Sequence, residues 1–166
     1  MSQTIINGDM YCTGGLSSKT FTAPSGSISD DAIASNAKIK ATKLIHQLPL
    51  RYSTSTSSAA VTATELLHIA KATGEIASIE VCATTAPTSS DQFTVDLQKG
   101  NSSTAFTSVL SSAVTVTSSH SDREVVAGTI SSADYSADDI FQIVVTVSGS
   151  STEGILVVVN LHEQAQ

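Results

Sequence analysis

Phe93-Thr94-Val95-Asp96-Leu97 alternates apolar and polar residues without a break. In an extended chain successive side chains point to opposite faces. Phe93, Val95 and Leu97 therefore face a core while Thr94 and Asp96 face water. Two other stretches carry the same period. In 76–82, Ile76, Ser78, Glu80 and Cys82 oppose Ala77, Ile79 and Val81. In 155–161, Leu156, Val158 and Asn160 oppose Ile155, Val157, Val159 and Leu161. This last run is apolar enough for a strand buried on both faces, and Cys82 reads as a small core residue.

Working outward, period-two patterning places strands near 50–54, 63–71, 75–84, 92–99, 106–117, 123–129, 139–148 and 154–163. Turn-forming residues separate them: Thr73-Gly74, Pro87 through Asp91, Gly100-Asn101, Ser131 through Asp139, and Ser148 through Gly154. About eight short strands with regular turns predict a mostly β chain. The expected architecture is an antiparallel, jelly-roll-like β-sandwich over residues 49–166.

Composition fits that architecture. The chain holds 28 Ser and 21 Thr in 166 residues, but only 14% charged residues and no Trp. Its core must be aliphatic, and its surface is kept wet by hydroxyls. The Ser/Thr runs are interleaved with Val/Ile/Leu alternation, which favours strand faces and turns over disorder.

Residues 1–48 read differently. Ile5, Ile6, Met10, Leu16 and Phe21 are apolar residues spread among Gly8, Gly14, Gly15 and Gly26. Such a segment makes short extended pieces and has too few apolar residues to bury itself. It reads as an arm that needs another surface. From Asp30 to Leu48, Ile33, Ala37, Ala41, Leu44, Ile45 and Leu48 fall at helical spacing. A short helix is expected there, capped by Ser29 or Asp30 and stopped by Pro49. Residues 1–48 are thus expected to form an arm and short helical linker that binds a partner surface.

Charge is segregated along the same boundary. Residues 1–51 carry Lys19, Lys38, Lys40, Lys43 and Arg51 against Asp9, Asp30 and Asp31. The remainder carries three basic residues against twelve acidic ones. The body should repel nucleic acid, whose binding depends on phosphate neutralisation. The front could dock on an acidic protein surface, or be a solvated basic stretch. No stretch approaches the length of a membrane span, so no membrane partner is expected.

Catalytic and metal motifs are missing from the pattern. His46, His68, His120 and His162 lie on separate elements without ligand spacing. Asp30-Asp31 and Asp138-Asp139 read as a helix cap and a turn. The spacing of Asp134, Asp138 and Asp139 does not match an EF-hand loop, with a calcium site as the alternative. His120-Ser121-Asp122-Arg123 holds residue types used in hydrolysis, but neighbours along a strand cannot converge on one reacting atom. Neither enzyme activity, nor a metal, nor a cofactor is expected.

One resemblance covers most of the chain. The run Ile28-Ser29-Asp30-Asp31-Ala32-Ile33, continuing to Ala41-Thr42-Lys43-Leu44-Ile45-His46-Gln47, resembles a linker of tailed-phage virion proteins that ends just before a β-sandwich. Phe93-Thr94-Val95-Asp96-Leu97-Gln98-Lys99-Gly100, Arg123-Glu124-Val125-Val126-Ala127-Gly128-Thr129 and the Val-rich last strand resemble the body of such proteins. Ile5-Ile6-Asn7-Gly8-Asp9-Met10-Tyr11 is similar to the start of phage appendage proteins. The resemblance implies a capsid decoration protein, also called cement or head-fibre protein. Such proteins are commonly trimers of jelly-roll-like domains with N-terminal arms gripping the shell.

The implied role is that of a virion protein on the outer capsid surface, assembled in the host cytoplasm. Its expected partners are two further copies of itself and the major capsid protein. The expected contact residues are Ile5, Ile6, Met10, Leu16, Phe21, Ile33, Lys38, Lys40, Lys43 and Leu44. The competing reading is a carbohydrate- or receptor-binding module of a phage fibre or adhesin. Its contacts with host surface glycans would come from the loops near 86–91 and 148–154.

Overall fold

The computed structural model describes residues 45–164, with the side chains of Ile45 and Gln164 left aside. The expected arm, and the linker up to residue 44, lie outside the described residues. The described chain is strand and turn throughout, with ten strands. They are β1 (Ile45–Ser53), β2 (Ala63–Ile69), β3 (Gly74–Thr85), β4 (Gln92–Asn101) and β5 (Thr104–Ser108). β6 (Val114–Thr117), β7 (Val126–Ala127), β8 (Asp134–Tyr135), β9 (Ile140–Ser148) and β10 (Glu153–Gln164) complete the set.

All pairings are antiparallel, and the strands form two five-stranded sheets. Sheet A has the order β1-β10-β3-β7, with β8 also on β3. Sheet B has the order β2-β9-β4-β5, with β6 also on β4. The chain crosses between sheets from β1 to β2, β2 to β3, β3 to β4, β6 to β7, β8 to β9 and β9 to β10. A single, mostly aliphatic core lies between them. Ile79, Val81, Ile155, Val157, Val159 and Leu161 enter it from sheet A, and Phe93, Val95, Leu97, Phe141, Ile143 and Val145 from sheet B. The mostly β sandwich expected from alternation is therefore the observed fold.

Several local expectations change. Residues 45–48 were expected to end a helix, yet they are the start of β1, and Leu48 packs on the core. The cause is β10, whose length gives Ile45 through Ser53 a pairing partner at every position. Pro49 is accommodated because β1 is an edge strand, where a missing N–H breaks no ladder on the open side. The stretch 106–117 divides into β5 and β6 around Ser111-Ser112, and 123–129 contributes only the two residues of β7. Asp134-Tyr135, expected within a turn, pairs with Glu75 and Gly74 as β8.

A bulge in β3 overturns the simple alternation at 76–82. Asn160 pairs with Ser78 but Leu161 pairs with Ile76, so Ala77 is an extra residue. The extra residue lets Ile76 and Ile79 both enter the core. A second bulge, at Leu67 in β2, turns His68 towards Phe141 while Leu67 also packs on the core.

Candidate functional site

The connections gather at two opposite ends. At one end lie 54–62, 86–91, 118–125 and 149–152. Hydrogen bonds knit them together. Ala60 N–H donates to the Thr152 carbonyl at 2.8 Å, and the Ser118 hydroxyl donates to the Ser89 carbonyl at 2.7 Å. Thr88 N–H donates to Ser151 Oγ at 3.0 Å. Asp91 is the hub. Its Oδ2 accepts from the Ser151 hydroxyl at 2.7 Å and from the amides of Ser150 and Ser151 at 3.2 Å. The Ser151 hydroxyl first, and then these amides, hold its carboxyl below the usual carboxylate range. Gly149 reaches this knot with a φ of 95°, and a Cβ there would collide with the Asp91 carboxylate.

The residue types that hydrolysis would need are used otherwise at this end. Asp122 Oδ1 accepts from Ala86 N–H at 2.8 Å, and Arg123 N–H donates to the Ala83 carbonyl. His120 Nδ1 accepts from Thr117 N–H at 3.2 Å, which closes the turn after β6. These contacts hold a loop against a strand.

The opposite end holds the turns 70–73, 102–103 and 136–139 and the start of β1. Here Asp139 accepts from Asn101 Nδ2 at 3.0 Å and from Ser136 N–H at 2.9 Å, and Lys99 Nζ lies 3.9 Å away. Lys99 also donates to the Asp134 carbonyl. Asp138 takes a φ of 68°, so this acidic run works as a turn. His68 Nε2 is 3.6 Å from Glu163 Oε2, and His162 Nδ1 is 3.1 Å from Glu75 Oε1. The Tyr135 hydroxyl is 3.4 Å from the His162 carbonyl and 3.5 Å from Glu163. Burial, reinforced by the charge of Glu163, pushes this phenol up to about 12. Among the described residues, no group of three or more His, Cys, Asp or Glu side chains has the arrangement of a metal site.

The third feature is the outer face of sheet A. β10 buries only one face, contrary to the reading of 155–161 as buried on both. Ile155, Val157, Val159 and Leu161 are fully enclosed, but Leu156 is 37% exposed. Leu156 and Val158 line a shallow pocket with Cys82, Glu80 and Val125. Cys82 is therefore an outward-facing, half-buried free thiol rather than a core residue. Val125, beside it, is 61% exposed.

The contact residues expected from sequence, Ile5, Ile6, Met10, Leu16, Phe21, Ile33, Lys38, Lys40, Lys43 and Leu44, all lie outside the described residues. The structure does bring 86–91 and 148–154 together, as one surface. Sequence reading missed the sheet A face because an apolar residue at 156 or 158 looks the same whether its partner belongs to the same chain or to another. Compared with known protein families, characterised proteins and solved structures, the chain has no match.

Proposed function

We propose that this chain is a structural protein of a phage virion that decorates and stabilises the outer capsid surface as a homotrimer. The observation that supports this best is the opposition of two ends. β1 begins at Ile45, paired with Gln164, and Gly74 there pairs with both Glu163 and Tyr135. The described chain thus begins at the end of the sandwich away from the Asp91 loop knot. A protein that grips a shell by one segment and displays a folded surface needs such a separation. The strand orders β1-β10-β3-β7 and β2-β9-β4-β5 support the finer reading of the sandwich as a jelly roll.

In this proposal the arm residues Ile5, Ile6, Met10, Leu16 and Phe21 bury apolar surface against the major capsid protein. Each Å² removed from water contributes about 25 cal/mol. Lys38, Lys40 and Lys43 complement an acidic shell, and three linked copies turn weak contacts into avidity. Removing residues 1–44 tests the reading. The truncated chain should keep its unfolding transition and lose shell binding. Full occupancy of shells by the truncated chain would overturn it.

One observation favours the second reading, a carbohydrate- or receptor-binding module. The Asp91 knot fixes Thr88, Ser89, Ser118, Ser150 and Ser151 in one preorganised hydroxyl surface. A glycan-array signal lost on substitution of these residues would favour it over decoration.

A further inference from the structure

We propose that the outer face of sheet A is where three copies of this chain meet, around a threefold axis running along β10. The inference rests on the trimeric reading above and names its contact surface.

The rows of this face differ in how they are satisfied. Across the half nearer the β1 start, Asn160 Nδ2 donates to Ser78 Oγ at 2.9 Å, and His162 lies 3.1 Å from Glu75. These rows complete themselves within one chain. Nearer the loop end, the outward residues of β10 are Leu156 and Val158, with Cys82 and Val125 alongside. Among the described residues Val125 is left 61% exposed and Leu156 partly so. The outer face of sheet B shows the contrast. Gln142 Nε2 donates to Gln98 Oε1 at 2.8 Å, and Thr94 sits between Thr115 and Thr146. Those central rows pair polar groups, and the exposed Leu66 of that sheet lies on its edge strand β2, whereas the loop half of sheet A is apolar at its centre.

Charge identifies the occupant as a second copy. Arg51 on β1 and Glu80 on β3 both pair with Val158 across the sheet, one on either side. They stand two strand spacings apart, about 9–10 Å. Neither makes an ion pair among the described residues. A row with one positive and one negative flank complements its own rotated image. Around an axis along β10, the β1 side of each copy meets the β3 side of the next. Each Arg51 then faces a neighbour's Glu80, while Leu156 and Val158 of all three copies close on the axis. A closed ring of this kind needs no second patch elsewhere on the molecule.

The test is native mass spectrometry with sedimentation on the full chain. The wild type should be a trimer and Leu156→Asp a monomer. Arg51→Glu and Glu80→Arg should each weaken assembly by about tenfold or more, and the double reversal should restore it. Leu156 is partly exposed and the charge pair is on the surface, so all variants should keep the wild-type circular dichroism. A trimer that persists in Leu156→Asp, as when another segment or a capsid protein covers the face, overturns this contact and leaves trimeric decoration standing. Failure of the double reversal to rescue does the same. A wild type that is monomeric or dimeric overturns the threefold arrangement and the trimeric reading together.

Discussion

Asp91 Oδ2 accepts a 2.7 Å hydrogen bond from the hydroxyl of Ser151, joining the β3–β4 loop to the β9–β10 loop. Two amides of the same loop donate to the same oxygen. All three donors favour the charged carboxylate, so the folded carboxyl titrates below its unfolded value of about 3.9. The stabilisation is therefore complete above that unfolded value and is lost as pH falls through the folded one. Protection of the Ser150 and Ser151 amides, relative to their intrinsic exchange rates, should fall in acid in the wild type. In Asp91→Asn that protection should be low already at neutral pH and nearly flat below it. An unchanged acid profile in the variant would show that another group holds the loops.

Ile79 is fully enclosed between the sheets, whereas Leu66 is 67% exposed on the edge strand β2. Truncating Ile79 to Ala removes buried methylenes and leaves a cavity, which costs about 2–5 kcal/mol. Truncating Leu66 should change stability by only about 0.5 kcal/mol, because it forfeits little buried surface. Urea unfolding midpoints of the two variants give the comparison. Equal losses would mean that Leu66 is covered in the native assembly.

Legibility followed the physics of each element. Phe93, Val95 and Leu97 were readable because one pattern and one pairing geometry agree over the whole of β4. Ile76 and Ile79 were not, because a bulge is fixed by the partner strand β10 and leaves no mark in the local alternation. β8 was hidden for a related reason: two residues are too few to show a period, and Asp134-Tyr135 sits among turn formers. The end of the expected helix failed because Leu48 fits helical spacing and strand alternation equally well. Among the candidate surfaces, the loops 86–91 and 148–154 were legible as turns, but their union through Asp91 is a tertiary contact. Cys82 was misassigned because the faces of β3 exchange roles across the bulge.

Gly128 follows β7 and lies against the core. A Cβ there would stand 2.6 Å from Ile79 Cγ2 and 2.8 Å from Val114 Cγ2, one from each sheet. Both branched side chains are buried. Gly128→Ala should cost about 1–3 kcal/mol through overpacking. Pairing it with Val114→Ala should recover part of that loss by opening space, which thermal unfolding of the single and double variants would measure. Additive losses in the double variant would place the strain elsewhere.

Tyr135 is 4% exposed, with its ring edge-on to Phe141 at 5.2 Å between centroids. Its hydroxyl has only long contacts, so Tyr135→Phe should cost no more than about 0.5–1 kcal/mol at neutral pH. The larger effect appears in alkali. An unfolded tyrosine ionises near pH 10, while this one is held to about 12 by burial and by the charge of Glu163. Between those values the unfolded chain has released a proton that the folded chain retains. Stability from this group is thus present below the unfolded value and declines as pH rises towards the folded one. Tyr135→Phe should flatten that decline, leaving a smaller slope from Tyr52, which is also raised, first by burial and then by Glu65. Ultraviolet titration should show the last phenol step vanish with the substitution. If the step survives, Tyr135 is not the late-titrating group, and the closed end of the sandwich admits more water than its packing implies.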